Sequence, residues 1–235
     1  MTSAATDIKV LSATAIKEVL GALASQIERA TGCKLAVTCT TSGGVAKRIA
    51  SGEAADLIIL AATEMSGLIS QGKVLAGSRV EIARSNIGVG VRRGATKPDI
   101  CSVDALGRAL IAAKMVAYTD PAAGGASGTY LAGLLDKMGI ADKIETRLAA
   151  GGPDGLVGTI VARGDAEIGL HQIPELIAAG IDVVGPLPAE IQKPTVYAAA
   201  IAANSQQKQA SKAVLAFLST PATAATVKAQ GMDAS

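Results

Sequence analysis

Along this chain the hydrophobic positions switch repeatedly between short β-branched runs and helical faces. Ile8, Val10 and Leu11 lie in an extended run, and Ile16, Leu20, Leu23 and Ile27 follow at spacings of four, three and four, one face of a helix. Thr14 stands where an N-cap belongs, and Gly32 where a helix stops. Residues 35–38 read as a second strand, 44–51 as a helix, 56–61 as a strand buried on both faces, and 66–71 as a short helix. This alternation predicts a parallel, doubly wound sheet with helices on both faces.

Near Val80 the pattern changes. Residues 86–92 are extended with two interior glycines, Gly88 and Gly90, which fits a crossing strand better than a parallel core strand. A second unit follows: a helix over 103–113, a strand over 115–119, a glycine loop over 121–128, a helix over 129–138, another near 155–163 and a strand over 167–171. Residues 195–202 are extended again, and 208–218 carry a last helical face. The expected fold class is α/β, with two doubly wound lobes joined by a two-strand hinge. Lobe 1 is expected over 1–82 and 202–235, lobe 2 over 83–201, and the hinge near 82–86 and 196–202.

Composition narrows the chemistry. Hydrophobic residues are 49% of the 235, but aromatics are only 2%: Phe217, Tyr118, Tyr130 and Tyr197. So few rings argue against base stacking on single-stranded nucleic acid and against a ring-lined sugar cleft. The net charge of +2 comes from interleaved acids and bases, with no basic stripe, so no nucleic-acid partner is expected. No uncharged apolar run approaches the roughly 20 residues of a membrane helix, so no membrane insertion is expected. The first eight residues carry neither a basic segment nor a hydrophobic one. As written the chain has no export signal and fits the cytoplasm, or the periplasm if a signal has been removed. Cys33, Cys39 and Cys101 form no CxxC and have no histidine at ligand spacing, so free thiols are expected and a disulfide framework, a zinc site or any other metal is not. No GxxxxGK[ST], GxGxxG after the first strand or GxSxG occurs, so no cofactor is expected.

Ligands of open α/β sheets bind beyond the carboxyl ends of the strands. Four loops there precede helices: 12–15 (Ser-Ala-Thr-Ala), 40–44 (Thr-Thr-Ser-Gly-Gly), 121–128 (Pro-Ala-Ala-Gly-Gly-Ala-Ser-Gly) and 151–155 (Gly-Gly-Pro-Asp-Gly). Hydroxyls and free N–H groups at helix starts hold anions without a cationic side chain. Each loop also has a plain reading as a Ser/Thr/Gly cap. His171, the only histidine, ends a strand beside Gln172. It serves either as a structural hydrogen-bonding group or as a base, and Asp154 either caps a helix or faces a ligand.

The order of these motifs resembles the molybdate-binding family of type II solute-binding proteins. The residues that carry the likeness are the Ile-Lys-Val-Leu-Ser-Ala-Thr-Ala run ending at Ala15, then Thr41-Ser42-Gly43 and the Ala-Asp-Leu-Ile-Ile run ending at Ile59. Asp120-Pro121 with Ala126-Ser127-Gly128, the 161–169 run and the Ser-Thr-Pro-Ala of 219–222 complete it. The resemblance implies ligand contacts at Thr14, Ala15, Thr41, Ser42, Gly43, Ala126, Ser127, Gly128, Asp154 and Gln172. Ser42 matches a ligand-contacting serine. Ala15 replaces another, and Gln172 replaces a closing tyrosine. Asp154 adds a carboxylate beside an expected backbone contact. These changes favour a carboxylate over molybdate. The loop over 120–128 and the pair His171-Gln172 look like the branch that includes aconitate isomerase, whose chemistry moves a proton across an allylic system, with Asp154 and His171 as candidate proton carriers. The expected function is binding of a small anion by a monomeric component of an ABC importer, with a membrane subunit as partner. Isomerisation of a small unsaturated polycarboxylate is the second reading, and a cytoplasmic anion sensor the third.

Overall fold

The computed structural model describes residues 5–123, 126–150 and 156–235. In chain order the first elements are β1 (Thr6–Ala13), α1 (Lys17–Thr31), β2 (Cys33–Thr40), α2 (Ser42–Ala50), β3 (Leu57–Ala61), α3 (Ala62–Ser70) and β4 (Val80–Ser85). Then come β5 (Ile87–Val91), α4 (Val103–Ala112), β6 (Val116–Thr119), α5 (Ala126–Lys137), β7 (Thr146–Ala149), α6 (Val157–Arg163), β8 (Ile168–Gln172), α7 (Ile173–Ala178) and β9 (Asp182–Pro186). The chain closes with β10 (Thr195–Ile201), α8 (Lys208–Leu218), α9 (Ala224–Ala229) and β11 (Asp233–Ala234). It divides into two compact units, 1–84 with 196–235, and 85–195, and passes from one to the other twice.

The first unit is built on a six-stranded sheet in the order β11-β4-β10-β3-β1-β2. Strands β1, β2 and β3 are parallel, as the repeated strand–helix pattern requires, and β10 runs antiparallel beside β3. Alternate residues of β3 fill two cores. Leu57 and Ile59 pack with Leu20, Leu23 and Ile27 of α1 and Val214 of α8, while Ile58 and Leu60 pack with Val45, Ile49, Met65 and Leu68 of α2 and α3. Helix α1 ends where expected, at Gly32, in the left-handed conformation with φ 69°. Thr14 is not its cap. A 3-10 turn over Thr14–Ile16 precedes α1, Ile16 is the N-cap, and neither start carries a side-chain cap bond.

The second unit has a five-stranded sheet in the order β7-β6-β8-β5-β9. Strand β5, expected as a crossing segment, is instead interior to this sheet and antiparallel to both β8 and β9. Its glycines have a packing reason. Ile87, Val89 and Val91 face one core, and on the other face a Cβ at Gly88 would meet Ile173 Cγ1 at 2.6 Å and one at Gly90 would meet Ile181 Cδ1 at 2.6 Å. Glycine lets α7 and the turn after it lie directly on the strand. Strand β6 is parallel to β7 and β8, with Tyr118 opposite Leu170.

Candidate functional site

In the first unit, the carboxyl ends of β1, β2 and β3 stand side by side, with Ala13 opposite Thr40 and Ser12 opposite Ile59. Thr14 and Thr41 therefore emerge together. Among the described residues the Thr14 hydroxyl has no hydrogen-bond partner, and Ala15 behind it is buried. Thr41 is the N-cap of α2, its hydroxyl accepting the Gly44 N–H at 3.0 Å. Gly44 is closely enclosed: a Cβ there would lie 2.7 Å from Thr40 Oγ1. Ser42, 6% exposed, accepts the backbone N–H of Ala61 at 3.1 Å, and Ala61 caps α3. That bond occupies an oxygen lone pair and leaves the hydroxyl proton to donate. Gly43 adds a backbone N–H in the first turn of α2, where amides have no intrahelical acceptor. No cationic side chain is needed for this cluster to hold an anion.

In the second unit, β6 and β8 bring Thr119 and Gln172 to neighbouring strand ends. Gln172 is 3% exposed; its Nε2 donates to the Thr195 hydroxyl at 2.8 Å, and its Oε1 is enclosed without a partner among the described residues. A half-turn of the amide would let Oε1 accept the Thr195 proton and turn Nε2 outward, so this side chain can offer a ligand either an acceptor or a donor. Ser127 is 4% exposed near the start of α5, and its hydroxyl has no hydrogen-bond partner among the described residues. Gly128 is pressed on β6: a Cβ there would lie 2.4 Å from the carbonyl oxygen of Thr119. Thr119 itself, which no motif singles out, is 6% exposed, and its Oγ1 is enclosed without a partner among the described residues. Its only sequence signal is a polar residue ending an otherwise apolar strand.

His171 faces the other side of β8 from Gln172. Its Nδ1 lies 2.5 Å from a Glu175 carboxylate oxygen, an ion-pair distance if the ring is protonated, but off the line of an aligned N–H···O bond. Glu175 sits in the first turn of α7. The structural reading of this histidine thus has a partner, and the same partner would orient the ring if it served as a base. Ala126 opens α5, but its side chain, like Asp154 and the rest of the 151–155 loop, lies outside the described residues. Helix α6 begins at Val157 with Leu156 as its N-cap. Of the residues expected in the site, Thr14, Ala15, Thr41, Ser42 and Gly43 come together in the first unit, and Ser127, Gly128 and Gln172 in the second. Among the described residues no group of three or more His, Cys, Asp or Glu side chains could hold a metal ion.

Residues 8–233 match the family described as bacterial extracellular solute-binding protein. The chain belongs to this family. An aconitate isomerase of a Pseudomonas sp is 36% identical over 233 residues, spanning 97% of this chain and 87% of that protein. Solved structures agree in fold. The periplasmic molybdate-binding protein of Azotobacter vinelandii superposes with a TM-score of 0.77 at 24% identity, covering 96% of this chain and 98% of that one. A sulfate-binding protein of Mycobacterium tuberculosis does so with a TM-score of 0.72 at 19% identity, covering 97% and 86%. The type II periplasmic-binding-protein fold and the likeness to the molybdate-binding-like branch read from the motifs are thus both found. Among the described residues no helix is long and apolar enough to cross a membrane.

Proposed function

We propose that this family member binds a small carboxylate as the periplasmic solute-binding component of an ABC importer, working with that importer's membrane subunit. The donors are Thr14, Thr41, Ser42 and Gly43 in the first unit and Ser127, Gly128 and Gln172 in the second. The observation that carries this reading is the set of neutral hydroxyls and free amides at the carboxyl ends of parallel strands in each unit. Preference for carboxylate over molybdate is supported by Ala15 standing where a hydroxyl donor is expected, and by kinship with an aconitate isomerase. Oxyanion oxygens left unpaired cost about 1.5–3 kcal/mol each.

Calorimetry with trans-aconitate and molybdate as probes tests the reading. The expected result is tighter binding of trans-aconitate; micromolar molybdate binding with no response to carboxylates would reverse it. Ser42→Ala and Ser127→Ala are each expected to weaken trans-aconitate binding by about tenfold or more, the worth of one hydrogen bond to an anion. Stability without ligand is expected to fall by about 1 kcal/mol for Ser42→Ala, which strands the Ala61 N–H, and by less for Ser127→Ala, whose hydroxyl has no partner among the described residues. Unchanged affinity in both variants would place the site elsewhere.

A second reading, isomerisation of an aconitate-like tricarboxylate, is favoured by the 36% identity over 97% of the chain. A base removes a proton from a methylene flanked by carboxylate and alkene, the double bond shifts, and the proton returns at the far allylic carbon. His171, oriented by Glu175, is the described residue suited to carry that proton. Following trans-aconitate by absorbance decides between the two: turnover that His171→Gln abolishes establishes the enzyme, and no turnover leaves a binding protein.

A further inference from the structure

We propose that Thr119 is a positioning residue for His171, its hydroxyl accepting the ring's Nδ1–H and so leaving Nε2 as the basic nitrogen. This role rests on the isomerase reading above and concerns what holds its proton carrier. Side chains alternate between the two faces of a strand. Tyr118 is opposite Leu170, and both face the core that holds Leu106 and Leu131. One step further along each strand, Thr119 and His171 therefore project side by side from the other face, on strands about 5 Å apart. The other neighbours of Thr119 on that face are Ala117, two residues earlier, and Ala149, its partner on β7. Neither has a polar side chain. On that face of the described strands, His171 is the polar neighbour Thr119 has.

Both residues hold an unmet hydrogen-bonding atom. Thr119 Oγ1 and His171 Nδ1 are enclosed, and neither meets a hydrogen-bond partner among the described residues. Valine would fill the space of Thr119 without stranding a hydroxyl. Glu175 Oε2 lies 2.5 Å from Nδ1 but off the line of the N–H, so it balances charge without fixing the ring's direction. Rotation about χ2, a soft torsion in histidine, turns Nδ1–H toward Thr119 Oγ1. Glu175, one helical turn along the chain, stays beside the ring whichever way it turns. The bond selects the tautomer. A neutral imidazole has one N–H, and giving Nδ1 an acceptor leaves the lone pair on Nε2. The side chain is 12% exposed, and Nδ1 is its enclosed nitrogen. Nε2 takes the methylene proton, the imidazolium charge lies beside Glu175, and the same proton returns at the far allylic carbon.

Thr119→Val and Thr119→Ser test this, each read by long-range proton–nitrogen NMR of the imidazole and by turnover of trans-aconitate. His171 is the only histidine, so every imidazole signal belongs to it. In wild type at high pH the neutral ring is expected to carry its proton on Nδ1. In Thr119→Val the two nitrogen shifts move toward each other as the tautomers mix, and Thr119→Ser keeps the wild-type pattern. Turnover by Thr119→Val is expected to lose about tenfold or more in kcat with KM within about threefold, and Thr119→Ser to restore it. Wild-type nitrogen shifts in Thr119→Val would mean that Glu175 alone holds the ring, and the proposal fails. It also fails if wild type carries its proton on Nε2, if Thr119→Ser behaves as Thr119→Val, or if Thr119→Val raises KM with kcat unchanged. Absence of turnover in wild type is a separate result: it overturns the isomerase reading, and the nitrogen shifts alone then decide whether Thr119 holds His171.

Discussion

Asp56→Ala is expected to lower the stability of the protein by about 3 kcal/mol, with no direct effect on ligand contacts. Asp56 immediately precedes β3 and is 8% exposed. Its Oδ2 accepts the Lys9 backbone N–H at 3.0 Å, and its Oδ1 accepts the Ser205 hydroxyl at 2.7 Å. Ser205 in turn accepts the Gln207 N–H at 3.0 Å, at the entrance to α8. One carboxylate thus ties β1, β3 and the segment after β10, which are distant in sequence. Hydrogen bonds to a charged group are worth about 1.5–3 kcal/mol, and alanine removes two of them while stranding the buried Ser205 hydroxyl. Ser205→Ala removes the Oδ1 bond and the Gln207 N–H bond but leaves the Lys9 N–H on Oδ2, and is expected to cost about 2 kcal/mol. Urea unfolding of both variants measures this; equal losses, or a loss below about 1 kcal/mol for Asp56→Ala, would show that the tie is not energetically important.

Gly128→Ala is expected to cost about 2–3 kcal/mol and to weaken ligand binding by more than tenfold. Alanine normally favours a helix over glycine by about 1 kcal/mol. At Gly128 the sign inverts because the new methyl would lie 2.4 Å from the Thr119 carbonyl oxygen, and backbone cannot move aside as a side chain can. The first turn of α5 must lift from β6, carrying Ser127 with it. Gly133, in the same helix, has nothing within 4 Å of a built Cβ, so Gly133→Ala is expected to gain up to about 1 kcal/mol with unchanged affinity. Thermal unfolding and calorimetry on the pair separate close approach from helix propensity. If the two variants behave alike, the contact between α5 and β6 is looser than the structure shows.

Much of this architecture is written in local pattern. The face Ile16, Leu20, Leu23 and Ile27 determines α1, Gly32 its end, and the β-branched run before Ala61 the buried strand β3. These signals are legible because each arises from the period of one element and the one face or two that it buries. The loops that carry Thr14, Ser42, Ser127 and Gln172 were legible for a related reason: in a strand–helix alternation the carboxyl ends of parallel strands fall on one edge.

What the pattern left undetermined depends on partners far away in the chain. Glycines in β5 read as a crossing strand because sequence shows their small size but not α7 lying on them. Strand β10 looks like any extended run, and only its antiparallel pairing with β3 places it in the first sheet. Thr14 has the composition of a cap, but the chain enters α1 through a 3-10 turn that carries no side-chain cap bond. Ser42 acquires its role from the Ala61 N–H, and Gly128 its close approach to the Thr119 carbonyl from the packing of α5 on β6. By itself, then, the sequence determined which segments become strands and helices and where their polar loops emerge, since those follow from short-range periodicity. Only the tertiary structure decided which hydroxyls are already paired and which stand enclosed and unpaired, since that depends on atoms brought together from distant parts of the chain.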